Sequence, residues 1–223
     1  MITKNIILNV LSEIAKTMED EKDYLIELDQ QNGDGDLGIS MSAGFNAALN
    51  AFKDDSGEDI GLGILKAAMT FNEKAPSSLG TILSFGLMAM GKTFKGKKVL
   101  TSEEFVSGFS KFNEEIMNKG GAKPGEKTIV DTLVPTEKYI RENVGKISNT
   151  DLIKSAEQIA KESSDATRNM KSVHGRAAYY AEKSIGVLDG GSYAGYLIFK
   201  ALNNFMIDGG KNERKKKIDF GCF

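Results

Sequence analysis

The chain has 223 residues, 40% hydrophobic and 27% charged, which is the profile of a globular protein with a core large enough to fold unaided. Basic and acidic residues number 29 and 31, a net charge of −2, so no global basic field points to nucleic acid and no strong acidity points to a cationic partner. The one cysteine, Cys222, excludes an internal disulfide framework, and a reducing, cytoplasmic compartment is the expectation.

The first segment is apolar at Ile6, Val10, Leu11, Ile14 and Met18 but interrupted by Asn5, Asn9 and Glu13. It reads as an amphipathic helix and lacks the continuous apolar core of a signal peptide. A second helix follows on Ile39, Ala43, Ala47 and Phe52. Further helical patterns are expected at about 60–73, 78–94, 102–119, 130–143, 149–170, 172–185 and 192–208, with Ser102 and Asn149 as N-terminal signals. The prolines at 76, 124 and 135 are expected at or near junctions, and Gly80, Gly86 and Gly91 in close helix packing. The most apolar stretch, Leu79–Gly91, is too short to span a bilayer. With no internal repeat or linker, the reading is a single all-α domain over residues 1–210, a bundle of about eight helices. A basic tail, 211–223, carries Lys211, Arg214, Lys215, Lys216 and Lys217; this is either a solvated helix end or a patch for an anionic partner.

Asp29, Asp34 and Asp36 surround a turn spaced by Gly33, Gly35 and Gly38 that runs into the second helix. Glycines let the backbone turn tightly, so carboxylates can converge that would point apart on a regular helix. Hard cations take carboxylate oxygens, and magnesium is typically shared between a few carboxylates and phosphate. An EF-hand is excluded: counted from Asn32, position six is Leu37 rather than glycine and position twelve is Ala43 rather than glutamate. The competing reading is a plain helix-joining turn with solvated aspartates, and Asp29, taken to lie on the preceding turn, shifts the balance toward a metal.

Lys119–Asp131 is a second glycine-rich segment but not a P-loop, since Glu126 stands where lysine is required and no strand precedes it. It is either a plain loop or a surface facing a base or ribose. The third segment, from His174, carries Arg176 and a turn at Asp189–Gly191. Arg176 is placed either to fork onto a phosphate or to form a salt bridge to Glu182 or to an acid on a neighbouring helix. His174, the only histidine, reads as a helix-start or surface residue, and Cys222 as a poor nucleophile, so no covalent catalyst is expected in this chain.

Taken in order, Leu-Asp-x4-Asp-Gly-Asp-x-Gly, Gly-x-Ala-x-Pro-Gly-x-Lys-Thr-x-x-Asp, and Gly-Arg-Ala-x-Tyr followed by Glu-x-Ser-Ile-Gly resemble the nucleotide-binding L subunits of bacterial dihydroxyacetone kinases, over about residues 6–208. The resemblance implies an antiparallel eight-helix up-and-down barrel holding ADP or ATP through two magnesium ions at one end. Asp29 and Asp36 would each hold one ion and Asp34 would bridge both. Gly38, Ile39 and Ser40 would meet phosphate at a helix start. Ser77 and Ser78 would donate to phosphate, Gly120 and Ile129 would border the adenine and ribose, Arg176 would contact the phosphates, and Asp189, Gly190 and Gly191 would close the pocket.

It further implies half an enzyme, with the ketose bound on a separate K-type subunit, in a homodimer or hetero-oligomer that contacts neither nucleic acid nor membrane. The nucleotide would either exchange or be rephosphorylated by a phosphoprotein of the phosphotransferase system. Three departures from the family pattern are Leu37 for histidine, a shortened Ala75–Ser78 for Gly-Ala-Ser-Gly, and Gly190 for proline. The first two motivate a second reading, a nucleotide-sensing regulatory paralogue that contacts a transcription regulator or partner kinase without turnover. A third is an unrelated helical scaffold.

Overall fold

The computed structural model describes residues 1–219, with side chains described through residue 207. Nine α-helices are present among the described residues: α1 (Lys4–Asp20), α2 (Lys22–Gln30), α3 (Leu37–Lys53), α4 (Ile60–Lys74), α5 (Ser78–Thr93), α6 (Ser102–Gly120), α7 (Val130–Asn143), α8 (Asn149–Ala166) and α9 (Gly190–Asp219). Two short strands, β1 (Ile2–Thr3) and β2 (Val99–Leu100), pair antiparallel. The all-α expectation holds. From α3 onward each helix packs on the next, α1 packs on α3, and α9 packs back on α1, so eight helices form a closed ring with short α2 laid against α3 and α9. No described helix is long and apolar enough to cross a membrane.

The apolar stripes read in the sequence face inward. Met18 of α1, Met41 and Phe52 of α3, Phe71 of α4, Leu83 of α5, Ile116 of α6, Leu133 of α7 and Leu197 and Phe199 of α9 are all essentially inaccessible. Burial of each such side chain is worth about 1.5–3 kcal/mol. Phe45 meets Phe71 edge to face at 5.0 Å, joining α3 to α4. The α5 glycines serve close packing: a Cβ on Gly86 would stand 2.8 Å from the Phe112 ring, and one on Gly91 would stand 3.0 Å from the Gly61 carbonyl oxygen.

Several local expectations are corrected. The cap of α6 is Thr101, one residue before Ser102, because Thr101 and Glu104 have capping-box spacing and both reciprocal bonds form. Likewise Ser148 rather than Asn149 caps α8, while α5 is capped by Ser77, its hydroxyl accepting from the Gly80 N–H at 3.1 Å. Pro135 lies inside α7, not at a junction. It forfeits the bond its missing N–H would have made to the carbonyl four residues back, and its ring crowds that oxygen.

The helix expected over 149–170 ends at Ala166 and passes into a 3-10 turn, Thr167–Asn169. The helix expected over 172–185 is absent: Arg176–Ser184 forms 3-10 turns broken at Ala181, whose φ is 48°. Gly175 and Gly186, with φ of 63° and 94°, bracket this piece and stop a helix at both ends. The side chains of Lys211, Arg214, Lys215, Lys216 and Lys217, and all of Cys222, lie outside the described residues.

Candidate metal and phosphate site

The last turn of α2, the loop 31–36 and the first turn of α3 build an acidic corner. Asp29 belongs to α2 itself and not to the turn expected there. Its Oδ2 accepts from the N–H groups of Gly35, at 2.7 Å, and Asp36, at 3.1 Å, folding the loop back over the helix end. Gly35 makes this possible with a left-handed φ of 77°. As a result one oxygen from each of Asp29, Asp34 and Asp36 lies within 4.8 Å of the others. All three donors are hard carboxylates, the Asp34 and Asp36 residues are exposed and Asp29 is half-buried, a set that fits magnesium open to further oxygen ligands.

The electrostatics agree with a cation's place. Desolvation, then the neighbouring Asp34 and Asp29 charges, push the Asp36 carboxyl above its ordinary pKa, while Arg176 pulls it back. Arg176 stands 2.7 Å from Asp34 Oδ2, so its ion pair is with an acid of the loop before α3 and not with Glu182, which pairs with Lys171. Arg176 also lines a cleft of about 500 Å³ with Asn32, Gly33, Tyr179 and Tyr180.

α3 starts at this corner. Its first N–H groups have no acceptor within the helix, and its dipole favours an anion there. Ile39 is exposed, whereas Ser40 is buried and its N–H is already bonded to the Asp36 carbonyl at 2.9 Å. Gly190 meets the same corner, since a Cβ there would fall 2.6 Å from Leu37 Cδ2. A Cβ on Gly191 would lie 3.5 Å from the Ile129 nitrogen and 3.7 Å from Leu79 Cδ2, which brings Ile129 and the start of α5, with Ser77 and Ser78, to the other side of the same turn. Gly120 ends α6 with Ile82 of α5 as its neighbour and is not drawn to the aspartates by any contact found.

Asp189 caps α9, its Oδ2 accepting from the Ser192 N–H at 2.6 Å. Desolvation pushes its carboxyl up to about 7, against the opposing pull of that bond and of Lys127.

Three residues to which the sequence assigned no role organise the second glycine-rich segment. Asp131 is buried, and its two oxygens accept from the N–H groups of Gly125, at 2.5 Å, and Thr128, at 2.6 Å, which shapes the second glycine-rich segment. The Thr128-x-x-Asp131 spacing was a usable signal for it. Lys127 is buried with φ of 62° and its ammonium sits among backbone carbonyls; no sequence pattern announces that. Glu126 bonds His174 at 2.6 Å, which gives the histidine a structural partner.

Comparison with known proteins names the family. A match to the DAK2 domain covers residues 31–204. The ADP-binding subunit DhaL of the PEP-dependent dihydroxyacetone kinase of Escherichia coli (strain K12) is 27% identical over 192 residues, 86% of this chain and 91% of that protein. A corresponding subunit of Listeria innocua, of PEP-dependent dihydroxyacetone kinase 1, is 28% identical with the same coverage. An L-erythrulose kinase of Pectobacterium atrosepticum is 31% identical over 79% of this chain but only 30% of its own length. The fold matches the dihydroxyacetone kinase of C. freundii, solved with AMP-PNP and Mg2+, at a TM-score of 0.69 and 19% identity, over 90% of this chain and 34% of that one. The chain belongs to the DAK2 domain family.

Proposed function

We propose that this chain is the nucleotide-binding subunit of a kinase for dihydroxyacetone or a related short ketose. Residues 1–210 form the nucleotide domain. Asp29 and Asp36 each hold one magnesium ion and Asp34 bridges the pair, over which ADP or ATP lays its phosphates against Gly38, Ile39, the hydroxyl of Ser40, Ser77, Ser78 and Arg176. Ile129 and Gly120 flank the nucleoside, and Asp189, Gly190 and Gly191 close the turn beside it.

The observation that carries this reading is the convergence of three carboxylates at the head of α3 with Arg176 alongside. Phosphoryl transfer needs positioning and charge neutralisation rather than a protein nucleophile, so a site without one is sufficient. Magnesium would neutralise the phosphate oxygens; the chain's residues place the ions and keep the terminal phosphate facing outward, where a separate K-type subunit holds the ketose. The phosphate arrives either by ATP exchange or from a phosphoprotein of the phosphotransferase system. The Escherichia coli and Listeria innocua relatives, each matched over 91% of its length, are named as ADP-binding subunits of PEP-dependent enzymes, which supports the second route.

Thermal unfolding with and without magnesium and ADP tests the site. At a ligand concentration of about 100 times Kd the wild type gains about 2.7 kcal/mol of stability by mass action. Asp34→Ala is expected to fold, since Asp34 is exposed, and to lose that gain entirely. Full protection of the variant by magnesium and ADP overturns the bridging role. Nucleotide released on denaturing the purified wild type then separates the routes: retained ADP supports rephosphorylation in place, and an empty site filled reversibly by ATP supports exchange.

A further inference from the structure

We propose that Lys127 is the positioning residue for Arg176, holding the segment that presents the guanidinium to the nucleotide phosphates. The inference rests on the phosphate role of Arg176 in the proposed function.

Arg176 sits on a segment without a regular helix, held internally by the Ser172 N–H donating to Ser184 Oγ at 2.9 Å and by the Lys171–Glu182 ion pair. Between α8 and α9 the chain makes only 3-10 turns, with left-handed φ at Gly175, Ala181 and Gly186, and Ala181 is a non-glycine residue for which such backbone is costly. The ammonium of Lys127 ties both ends of this segment to the second glycine-rich loop. It donates to three backbone carbonyls: Met170 at 3.2 Å, Ser184 at 2.5 Å and Val187 at 2.7 Å. These oxygens mark the beginning and the end of the segment, with Arg176 between them.

All three N–H bonds of the ammonium are thus spent on neutral carbonyls, and no carboxylate lies within ion-pair distance of it among the described residues. Burying a charge in this way is expensive, and desolvation pushes the Lys127 pKa below its ordinary value. Its backbone is strained too, at φ of 62°. Two unfavourable features at one residue are tolerated where the surroundings over-determine it. The surroundings here do so: Asp131 accepts from the amides on either side, Gly125 and Thr128, and Glu126 adds a bond to His174 and accepts from the Val173 N–H at 3.4 Å. A continuous set of contacts therefore runs from Asp131 through Lys127 to the segment ends, and from the segment through Arg176 to Asp34.

The test measures magnesium–ADP affinity by calorimetry for the full chain, for Arg176→Ala, for Lys127→Met and for the two combined, with hydrogen exchange followed in parallel. Lys127→Gly serves as the second variant, because it removes the ammonium while suiting a left-handed φ better than lysine does. The expected result is a loss of roughly ten-fold for either single change, the scale of one charge-assisted contact. The combination should lose no more than the larger single, and faster exchange should be confined to residues 171–187.

Losses that multiply in the combined variant overturn the inference, as does unchanged affinity in Lys127→Met or Lys127→Gly while Arg176→Ala binds weakly. Unchanged affinity in Arg176→Ala overturns the phosphate role of Arg176 and this inference with it.

Discussion

Leu37 and Gly190 occupy each other's space: a Cβ on Gly190 would stand 2.6 Å from Leu37 Cδ2. The contact joins the first residue of α3 to the first of α9 at the edge of the acidic corner. Two of the departures from the L-subunit pattern, leucine for histidine at 37 and glycine for proline at 190, are therefore one packing event. Gly190→Ala is expected to cost about 1 kcal/mol by overpacking, at the low end because the displaced atom is a side-chain tip. Leu37→Ala removes a buried side chain and should cost about 2–5 kcal/mol alone. Urea denaturation of both singles and the double is the check, and the double should be more stable than the sum of the singles predicts. Strict additivity would show that the two side chains do not compete.

Gly38 has no such leeway. A Cβ on it would lie 2.2 Å from the Lys22 carbonyl oxygen and 3.1 Å from the Ile26 nitrogen, so α2 and α3 approach backbone to backbone there. Gly38→Ala must separate the two helices that carry Asp29 and Asp36. We expect it to destabilise the fold by about 2–3 kcal/mol and to weaken magnesium-dependent ADP binding in the fraction that folds. Wild-type melting temperature in this variant would sink the close-approach argument.

Asp189 makes the stability depend on pH. Its carboxyl is pushed up to about 7, against about 3.9 in an unfolded chain. Below about pH 4 it is protonated in both states and costs nothing. As pH rises from about 4 to 7 the unfolded state releases this proton and the folded state retains it, so stability falls; above 7 the whole penalty is felt. Asp189→Asn keeps an N-cap acceptor for Ser192 and removes the charge. Denaturation midpoints at pH 5 and pH 8 should show the variant gaining on the wild type at the higher pH. Parallel curves would mean that Asp189 is solvated as an ion.

The acidic corner was legible because its ingredients are local. Asp29, Asp34 and Asp36 fall within eight residues, and glycine spacing in so short a stretch limits where the backbone can send them. The helix expected over 172–185 was not, because the stop signals Gly175 and Gly186 act together with a lysine about 50 residues earlier in the chain. Short α2 was missed for a related reason. Its nine residues are too few to be stable alone, and it persists because Leu25 and Leu28 are buried.

The sequence by itself determined the class of fold and the kind of chemistry. Apolar periodicity commits most of the chain to amphipathic helices that must bury one face together, and three clustered aspartates commit one loop to a hard cation. Tertiary structure decided what those aspartates meet. Arg176 reaches Asp34 across 142 positions of sequence, Gly190 makes room for Leu37, and Lys127 ties down the segment between α8 and α9. Contacts of that kind depend on how the helix ring closes, which burial of many side chains settles jointly and no local pattern records.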